Sequence, residues 1–532
     1  MSNPPQNREG TDRIGAGVAG LPDRVDLVVI GLGITGAGVA LDAAARGLDV
    51  LAVDAHDVAF GTSRWSSKLV HGGLRYLAKG QLGVAHESAV ERGLLMEVIA
   101  PHLTRPLPMV IPLMSSVSGV QGRLASAGFR AGDVLRRAAH TSAETLPHPR
   151  RISATETLQL APGLRRAGLR GGLLSWDGQL EDDARLVIAV ARTAAAYGAR
   201  VRTRARALGV SGTSVTLRDE ATRAVREIRT AAVVNATGVW AADLVDEVRL
   251  RPSRGSHLVL RAETLPGLRV ALTVPVPGAT NRFVFVLPQS DGTLYVGLTD
   301  EPVDGPVPDV PEPSETEIGF LLDVVAAAFE RPLRRDDVAG AYAGLRPLLD
   351  TGGGATADLS RRHAVLTSAT GVVTVVGGKL TTYRQMAEDA VDAALASSGL
   401  TAQPCRTRAL PLVGAGSRAE LAAVEAPERL VRRYGTEAPG VLATARQVTG
   451  LPEAELLAPV AASVPVTMAE LVFGVTHEGA TDVADLLDRR TRVGLIESDR
   501  EVARPAAERA LAMATRGRTG DSTGRSMRAR SR

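Results

Sequence analysis

The sequence contains little cysteine and lysine, and no apolar run long enough to span a membrane. Cys405 is the one cysteine among 532 residues, so an intramolecular disulfide is excluded and a reducing compartment fits. Residues 1–24 are polar and lack the apolar stretch of a signal peptide, so we expect none. The uncharged run Pro106–Gly122 contains three prolines, which excludes a spanning helix there.

Chain length limits the number of domains, and the distribution of charge limits the kinds of partner. A chain of 532 residues is too long for one core and predicts two or three domains. The net charge is only +4, but Arg516–Arg532 holds six arginines against one acid. Such a tail is predicted to be disordered, and it suits an anionic membrane surface. No stacking platform or reading motif accompanies the tail, so we expect no nucleic acid as a partner.

Residues 26–54 follow the order of a dinucleotide-binding unit: strand, glycine turn, helix, strand, acid. Gly31 permits the tight turn, Gly33 lets the backbone approach a pyrophosphate, and Gly36 lets the helix pack closely on the strand. The helix N-terminus favours phosphate charge. Asp54 ends the second strand, where a carboxylate accepts hydrogen bonds from a ribose.

A run of hydroxyl residues and glycines follows this unit, and it reads Ser66-Ser-Lys-Leu-Val-His-Gly-Gly-Leu-Arg-Tyr76. Hydroxyls and unhindered backbone N–H groups suit a pyrophosphate and a flavin edge. This run closely resembles a signature of the FAD-dependent glycerol-3-phosphate dehydrogenases.

The resemblance covers residues ~25 to ~510, and it rests on the joint presence of several motifs in the same order. They are the acidic segment Asp177–Leu186, Val233–Trp240, Arg254–His257, Val296–Asp300, Tyr342–Leu348, Ser360–His363, Gly377–Tyr383 and Asp488–Arg492. Two positions depart from the family pattern: Arg254 replaces a lysine, and Leu298 replaces a threonine.

The resemblance implies an α/β fold with a Rossmann-like FAD-binding domain, an antiparallel-sheet substrate domain as in D-amino-acid oxidases, and a C-terminal helical domain. The FAD-dependent region spans 25–400. Its FAD-binding part is 25–100, 150–250 and 340–400, and its substrate cap is 100–150 and 250–340. The helical domain is 403–510, and the termini 1–24 and 516–532 are expected to be disordered. Helical patterns in the last domain cover Ala419–Arg433, Val441–Thr449, Met468–Thr476 and Ala480–Leu487.

The implied reaction is oxidation of sn-glycerol 3-phosphate to dihydroxyacetone phosphate by hydride transfer to FAD, with electrons passed to a quinone. By position in the family motifs, Arg346 and Arg361 are the expected substrate clamps, and Lys379 stabilises negative charge. His71, His257 and His363 all lie in matching motifs, and the sequence leaves open which of them accepts the proton. No metal site is expected. The expected cofactor-binding residues are Gly31, Gly33, Gly36, Asp54, Thr62, Ser66, Ser67, Lys68, Gly72, Gly73, Thr237, Gly238, Gly377, Gly378, Leu380, Thr381 and Thr382.

Lysine scarcity is an independent clue. Lys68, Lys79 and Lys379 are the three lysines among 62 Lys and Arg residues, so arginine supplies nearly all the positive charge. An ammonium and a guanidinium are not interchangeable beside a cofactor. Because Lys68 and Lys379 fall in flavin-type motifs, we predict that both serve the cofactor or the substrate.

Two alternatives remain from the sequence. An enzyme of the same fold could pass electrons to oxygen, as a glycerol-phosphate oxidase or an amino-acid or amine oxidase. A flavoprotein could instead serve as a binding or regulatory module. The favoured interpretation places the enzyme in the cytoplasm, peripherally attached to the inner face of the cell membrane. Leu107–Met114 would offer an apolar approach for a quinone or form a strand of the substrate domain, and a homodimer is left open as the assembly.

Overall fold

Two large sheets and a group of C-terminal helices form the described part of the chain. This computed structural model describes residues 13–73, 76, 80–114, 119–279, 282–350 and 362–528. Six parallel strands and one antiparallel edge strand make the first sheet. In spatial order they are Gly15–Ala16, Arg200–Thr203, Val50–Val53, Leu27–Ile30, Ala232–Asn235, Val373–Val376 and Ala364–Thr367.

The central strands of this sheet are buried on both faces, as their unbroken apolar sequences predict. Leu27 and Val29 belong to a core shared with the helices, whereas Val28 and Ile30 pack toward a three-stranded sheet. That small sheet consists of Val225–Arg229, Ser214–Asp219 and Ala205–Val210. The helices associated with the FAD-binding part are Ile34–Ala45, Leu82–Leu94, Asp183–Ala196 and Tyr383–Ser398.

The second large sheet has ten strands and is antiparallel except where Ala271–Pro275 pairs with Thr104–Pro112. Its helices are Gly119–Ala138, Ala154–Leu160 and Glu315–Ala326. Its main path is Glu301–Pro302, Ser253–Arg261, Thr293–Gly297, Phe283–Pro288, Ala271–Pro275, Thr104–Pro112, Gly172–Leu180 and Leu69–Val70, with Val338–Arg346 and Arg150–Ile152 attached at the sides.

The C-terminal part has its own apolar core, which includes Leu430, Val441, Leu471 and Phe473. Its helices are Arg418–Ala422, Glu428–Tyr434, Ala438–Thr449, Glu453–Leu457, Met468–Thr476 and Glu497–Arg528, with a hairpin of Pro459–Ala461 and Val464–Thr467. The α/β fold class with a helical C-terminal domain is confirmed. The bounds 25–400 and 403–510 stay a prediction.

Two helix predictions in this domain were wrong. The pattern over 419–433 forms two short helices rather than one, because Pro427 stands at the start of the second and cannot continue the first. The pattern over 480–487 shifts to a π-helical turn at Asp485–Arg490. Asp485 accepts hydrogen bonds from the backbone N–H and the hydroxyl of Thr481, which keeps Thr481 out of the helix.

The predicted disorder of both termini also needs correction. Within 1–24, Ile14, Val18 and Leu21 are buried, and Gly15–Ala16 extends the parallel sheet, so apolar burial orders residues 13–24. At the other end, the last helix runs to Arg528. Extending an existing helix costs little once its first turns are packed, which overrides the polar composition of 516–528. Among the described residues, no helix is both long and apolar enough to cross a bilayer.

Candidate active site

A cavity of about 2030 Å³ lies between the carboxyl ends of the parallel strands and the ten-stranded sheet. Residues that follow four of those strands line it, among them Gly31, Asp54, Thr237 and Gly377. This edge is where open α/β sheets bind their ligands. Pockets for drug-sized molecules are about 300–1,000 Å³. The cavity therefore has room for a dinucleotide cofactor together with a small substrate.

The glycine turn is shaped for close backbone approach. Gly31 adopts a φ of +98°, and a Cβ at Gly36 would lie 1.8 Å from the carbonyl oxygen of Gly31. Any side chain at Gly36 would therefore push the helix off the turn, which matches the packing role predicted for it. Gly33 and Ile34 line the cavity at the helix N-terminus, where backbone N–H groups favour a pyrophosphate.

Asp54 lines the cavity with its carboxylate fixed by the backbone. Its Oδ2 accepts the N–H of Leu32 at 2.7 Å, and its Oδ1 accepts the N–H of His56 at 2.8 Å. A carboxylate has about four acceptor positions, so acceptor capacity remains for ribose hydroxyls. Burial raises the pKa of Asp54 to about 6, against the lowering effect of these two N–H donors.

The loop after this unit turns most of its predicted residues toward the cavity. Thr62, Ser66, Ser67 and Gly73 line it, but Lys68 does not. The Lys68 ammonium is fully buried and donates to Asp183 Oδ2 at 2.9 Å and to the Arg64 carbonyl at 2.8 Å. The prediction that the Lys68 side chain contacts the cofactor is therefore not supported by its placement, because an acid behind the loop holds the ammonium.

The remaining predicted cofactor residues also divide into two groups. Gly36, Gly72 and Thr382 are not on the cavity wall. The two glycines allow close packing, since a Cβ at Gly72 would lie 2.1 Å from Arg92 Nη1, and the Thr382 hydroxyl donates to the Lys379 carbonyl at 3.3 Å. The cavity wall includes Gly31, Gly33, Asp54, Thr62, Ser66, Ser67, Gly73, Thr237, Gly238, Gly377, Gly378, Leu380 and Thr381. The glycine pair Gly377 and Gly378 has φ values of +76° and +73°, which explains glycine at both positions.

Arg346 lies on the cavity wall at the end of its strand. Its Nη1 donates to Ser253 Oγ at 3.1 Å and to Asp300 Oδ1 at 3.2 Å, and its Nη2 donates to the Thr299 carbonyl at 3.2 Å. A Cβ at residue 255 would lie 2.3 Å from Arg346 Nη2, so Gly255 makes room for the guanidinium. These contacts hold a cation in a fixed orientation beside the cavity. Arg361, the other predicted clamp, lies outside the described residues.

Lys379 also lines the cavity. Its Nζ donates to Ser88 Oγ at 2.9 Å and lies 4.0 Å from the centre of the Tyr76 ring. Ser88 in turn donates to the Val84 carbonyl. Of the two lysines predicted to serve the site, Lys379 alone has its side chain on the cavity wall.

The three candidate histidines have different surroundings. His363 is hydrogen-bonded to Asp389 at 2.6 Å and is absent from the cavity wall. His257 lines the cavity but is buried, with its Nε2 2.8 Å from Ser67 Oγ and its ring stacked on Tyr342. Burial, together with the positive charges of Lys68 and Arg346, lowers the pKa of His257 well below its ordinary value.

His71 is the most accessible of the three, with 40% of its side chain exposed, and it lines the cavity. Its Nδ1 lies 3.5 Å from Asp177 Oδ2. Burial alone would raise the pKa of Asp177, but Arg92 and His71 bring it down to about 2. The Asp177 carboxylate therefore stays ionised beside the imidazole.

Several residues of this arrangement escaped the sequence analysis. Asp177 and Asp183 belong to the acidic segment that the sequence singled out, but two of their partners, Gly72 and Ser66, lie more than 100 residues away in the chain. Tyr342 begins the motif Tyr342–Leu348, yet only the structure shows its hydroxyl donating to the Ser66 carbonyl at 2.9 Å. Arg165 and Arg282 line the cavity without any local sequence signal.

The apolar run over 107–114 is a buried strand, Thr104–Pro112, of the ten-stranded sheet. Met109, Ile111, Pro112 and Met114 line the cavity. The run thus forms part of the cavity wall, in line with its interpretation as a strand of the substrate domain. Within the described ranges, no cluster of three or more His, Cys, Asp or Glu residues could hold a metal ion.

Comparison with known proteins gives a consistent picture. A family model described as FAD dependent oxidoreductase matches residues 26–384, and one described as the C-terminal domain of alpha-glycerophosphate oxidase matches 405–517. The protein named glycerol-3-phosphate dehydrogenase 1 from Mycobacterium tuberculosis is 55% identical over 489 residues, covering 90% of this chain and 93% of the relative.

Solved structures with a similar fold include two FAD-bound enzymes. The glycerol-3-phosphate dehydrogenase from Bacillus halodurans, complexed with FAD, superposes with a TM-score of 0.69 at 27% identity, covering 94% of each chain. The L-alpha-glycerophosphate oxidase from Mycoplasma pneumoniae, with FAD bound, shares the fold at a TM-score of 0.56 and 17% identity, covering 74% of this chain and 99% of that one. The chain therefore belongs to the FAD-dependent oxidoreductase family and, within it, to the FAD-dependent glycerol-3-phosphate dehydrogenases.

Proposed function

We propose that this protein oxidises sn-glycerol 3-phosphate to dihydroxyacetone phosphate and passes the electrons to a membrane quinone. The observation that carries the proposal is that one cavity is lined by two sets of residues. A dinucleotide-binding turn lines one side, and Arg346, Lys379 and the His71–Asp177 pair line the other. Bound FAD supplies the two-electron acceptor for the hydride from C2 of the substrate. Gly31, Gly33, Asp54 and Thr237 would hold it.

Arg346 is the proposed phosphate ligand. A guanidinium binds a phosphate through paired charge-assisted hydrogen bonds, and such bonds are stronger than neutral ones. Ser253, Asp300 and the Thr299 carbonyl keep the guanidinium from rotating. Arg346 is therefore preorganised for a small phosphorylated substrate, and we propose Arg361 as a second ligand from its motif alone.

His71 is the proposed proton acceptor for the substrate C2 hydroxyl. The imidazole faces the cavity, and the ionised Asp177 stabilises the imidazolium that proton uptake creates. His257 is less suited, because burial and neighbouring cations favour its neutral form and Ser67 already engages its Nε2. We propose that His257 orients Ser67 at the cavity wall.

Lys379 is proposed to stabilise the negative charge that develops on the substrate oxygen as the proton leaves. An ammonium in a water-poor cavity lowers the energy of such a charge without reorganising. Ser88 and the Tyr76 ring restrict where the Lys379 Nζ can lie.

A quinone is the proposed electron acceptor, and the support is the apolar wall formed by Met109, Ile111, Pro112 and Met114. The opposing candidate is oxygen, which is favoured by the match of residues 405–517 to a domain described from an oxidase. Turnover with quinone analogues that greatly exceeds hydrogen peroxide production in air supports the quinone. Stoichiometric peroxide at comparable rates would instead make the protein an oxidase.

We further propose peripheral attachment to the inner face of the cell membrane through the basic segment Arg516–Arg532. Each basic residue near an anionic surface contributes roughly 1 kcal/mol. Removal of residues 517–532 should weaken binding to phosphatidylserine vesicles at low salt with little change in soluble activity. Vesicle binding that is unaffected by the truncation would refute this assignment. A homodimer remains a proposal that light scattering would test.

The function is tested directly with the purified yellow protein. Acid precipitation should release FAD into the supernatant, as expected for a non-covalent cofactor. Anaerobic addition of sn-glycerol 3-phosphate should bleach the flavin band, whereas glycerol, which lacks the phosphate, should not at the same concentration. A flavin that glycerol 3-phosphate leaves oxidised would refute the proposed substrate.

A further inference from the structure

The acidic segment between the strand Gly172–Leu180 and the helix Asp183–Ala196 has two carboxylates that the proposed chemistry does not use. Asp182 and Asp183 are consecutive, both side chains are at most 1% exposed, and neither is part of the cavity wall. Two adjacent buried carboxylates repel one another, so each needs its own cationic partner. Asp183 is paired with the active-site loop, and Asp182 is paired with the C-terminal domain.

Asp183 holds the active-site loop from behind. Its Oδ2 accepts the backbone N–H of Ser66 at 2.9 Å, the Ser66 hydroxyl at 2.7 Å and the Lys68 ammonium at 2.9 Å. Lys68 Nζ also lies 4.8 Å from the centre of the Tyr342 ring, which is stacked on His257. Asp183 thus contacts Ser66 directly, and its partner Lys68 lies over the Tyr342 ring that stacks on His257.

Asp182 faces the C-terminal domain instead. Its Oδ2 lies 3.2 Å from Arg433 Nη2 and 3.9 Å from Arg492 Nε. Burial would raise the pKa of Asp182, but Arg492 and Arg433 hold it below the ordinary value. The C-terminal domain therefore supplies the positive charge that keeps Asp182 ionised.

Arg492 has contacts that Arg433 lacks. Its Nη2 donates to Asp291 Oδ2 at 3.1 Å, in the turn of the substrate-domain hairpin. Its guanidinium carbon lies 5.9 Å from the centre of the Tyr295 ring, which meets Tyr342 edge-on at 5.6 Å. Arg492 is buried and adopts a φ of +65°, an unusual conformation for a residue with a side chain.

We propose that Arg492, a residue of the C-terminal domain, is a positioning residue for the loop 66–71. Arg492 shares the neutralisation of Asp182 with Arg433, which leaves Lys68 to pair with Asp183 and hold Ser66. Arg492 also supports Tyr342 through Tyr295. Without Arg492, Arg433 alone faces Asp182 and also pairs with Glu470. Asp182 then attracts Lys68 more strongly, which weakens the bond between Lys68 and Asp183 and loosens the loop. This gives the C-terminal domain a role in the reductive half-reaction, and it rests on the proposed function.

The test compares Arg492→Met with the matched control Arg192→Met. Arg192 is also a buried arginine at the domain interface, and it binds Glu437 at 2.8 and 3.0 Å. It lies nine residues beyond Asp183 on the same helix, about 14 Å from the acidic pair at 1.5 Å per residue. Each variant is prepared with its FAD, and its thermal midpoint is recorded.

Hydrogen exchange and flavin reduction are then measured. In Arg492→Met, the peptide covering 60–73 should exchange faster, and anaerobic flavin reduction should slow by roughly two- to thirtyfold, the usual range for coupling through a contact network. Arg192→Met should have a comparable midpoint but wild-type exchange at 60–73 and a wild-type reduction rate. Arg492→Lys, which restores the charge, should recover part of both losses.

Unchanged exchange at 60–73 in Arg492→Met would overturn the inference, as would equal losses in both methionine variants. These outcomes are distinct from failure of the proposed function. If glycerol 3-phosphate does not reduce the wild-type flavin, the substrate assignment fails, while the exchange experiment still decides whether Arg492 holds the loop.

Discussion

The central part of the cofactor side, from Gly31 to Asp54, comes from one short stretch of chain, whereas the substrate side is assembled from residues far apart in sequence. Gly31, Gly33 and Asp54 all lie within a single strand–turn–helix–strand unit. By contrast, His71 meets Asp177, and Arg346 is held by Ser253 and Asp300. From this separation we expect FAD binding to survive changes that disable substrate chemistry.

The largest effect is expected from His71→Asn. General bases typically contribute 10²–10⁴-fold, so flavin reduction at neutral pH should slow by about 100-fold or more. FAD should remain bound, because the change lies on the substrate side. Anaerobic stopped-flow absorbance measures the rate.

His363→Asn is the matched control for this change. His363 has a carboxylate partner, Asp389, as His71 does, but it is not on the cavity wall. Its reduction rate should equal that of the wild type. A wild-type rate in His71→Asn would show that another group accepts the proton.

Arg346→Leu should have the next largest effect. Loss of a charge-assisted hydrogen-bond donor costs about 1.5–3 kcal/mol, so kcat/KM for glycerol 3-phosphate should fall ten- to a hundredfold. The reciprocal variant is Arg206→Leu, because Arg206 lines the cavity on the cofactor side next to His56. It should weaken FAD binding but leave kcat/KM unchanged at saturating FAD. If Arg346→Leu released FAD instead, the substrate side and the cofactor side of the cavity would not act independently.

Lys379 and Lys68 are expected to respond differently to replacement by arginine. Lys379→Arg keeps the charge but not the compact shape, so flavin reduction should slow by roughly tenfold, a barrier increase of about 1.4 kcal/mol. Lys68→Arg should instead lower the free energy of unfolding by about 1–3 kcal/mol, because its buried site has no room for a larger group. A wild-type rate of flavin reduction in Lys379→Arg would show that the site does not need the compact ammonium of Lys379.

The smallest expected effect is the dependence of FAD affinity on pH. Burial raises the pKa of Asp54 to about 6, and its ionised form is the better acceptor for ribose hydroxyls. FAD affinity should therefore be nearly constant above about pH 7 and fall as the pH drops through 6. The expected loss is about twofold at pH 6 and at most about tenfold at pH 5, according to the ionised fraction.

Fluorescence titration of the apoprotein with FAD measures this dependence. Asp54→Asn, which cannot ionise, should bind FAD more weakly at pH 8 and lose the acid-side decline. The same decline in Asp54→Asn would assign it to another group.

The sequence predicted much of the cofactor side because its signals are local. The spacing of Gly31, Gly33 and Gly36 describes a turn whose geometry is set within six residues, and the structure places that turn at the cavity. The substrate side was harder to predict. Lys68 lies within a flavin-type motif, yet Asp183 directs its ammonium away from the cavity, and no spacing in the sequence reveals that pair.

Helix ends show the same limit. Pro427 could have marked the break between Arg418–Ala422 and Glu428–Tyr434 from the sequence alone. The ordering of residues 13–24 could not be predicted in this way, because Ile14 is buried in the core of the FAD-binding part and donates its N–H to the distant His477 carbonyl. Predictions fail where long-range packing decides the conformation.

Replacement of the substrate C2 hydrogen by deuterium gives the most direct test of the central claim, that this cavity oxidises glycerol 3-phosphate at C2. The rate of anaerobic flavin bleaching is measured with protiated and C2-deuterated substrate at saturating concentration. We predict bleaching by both, with a clearly slower rate for the deuterated substrate. Absence of bleaching would contradict the proposed substrate, and identical rates would show that C2–H cleavage does not limit flavin reduction.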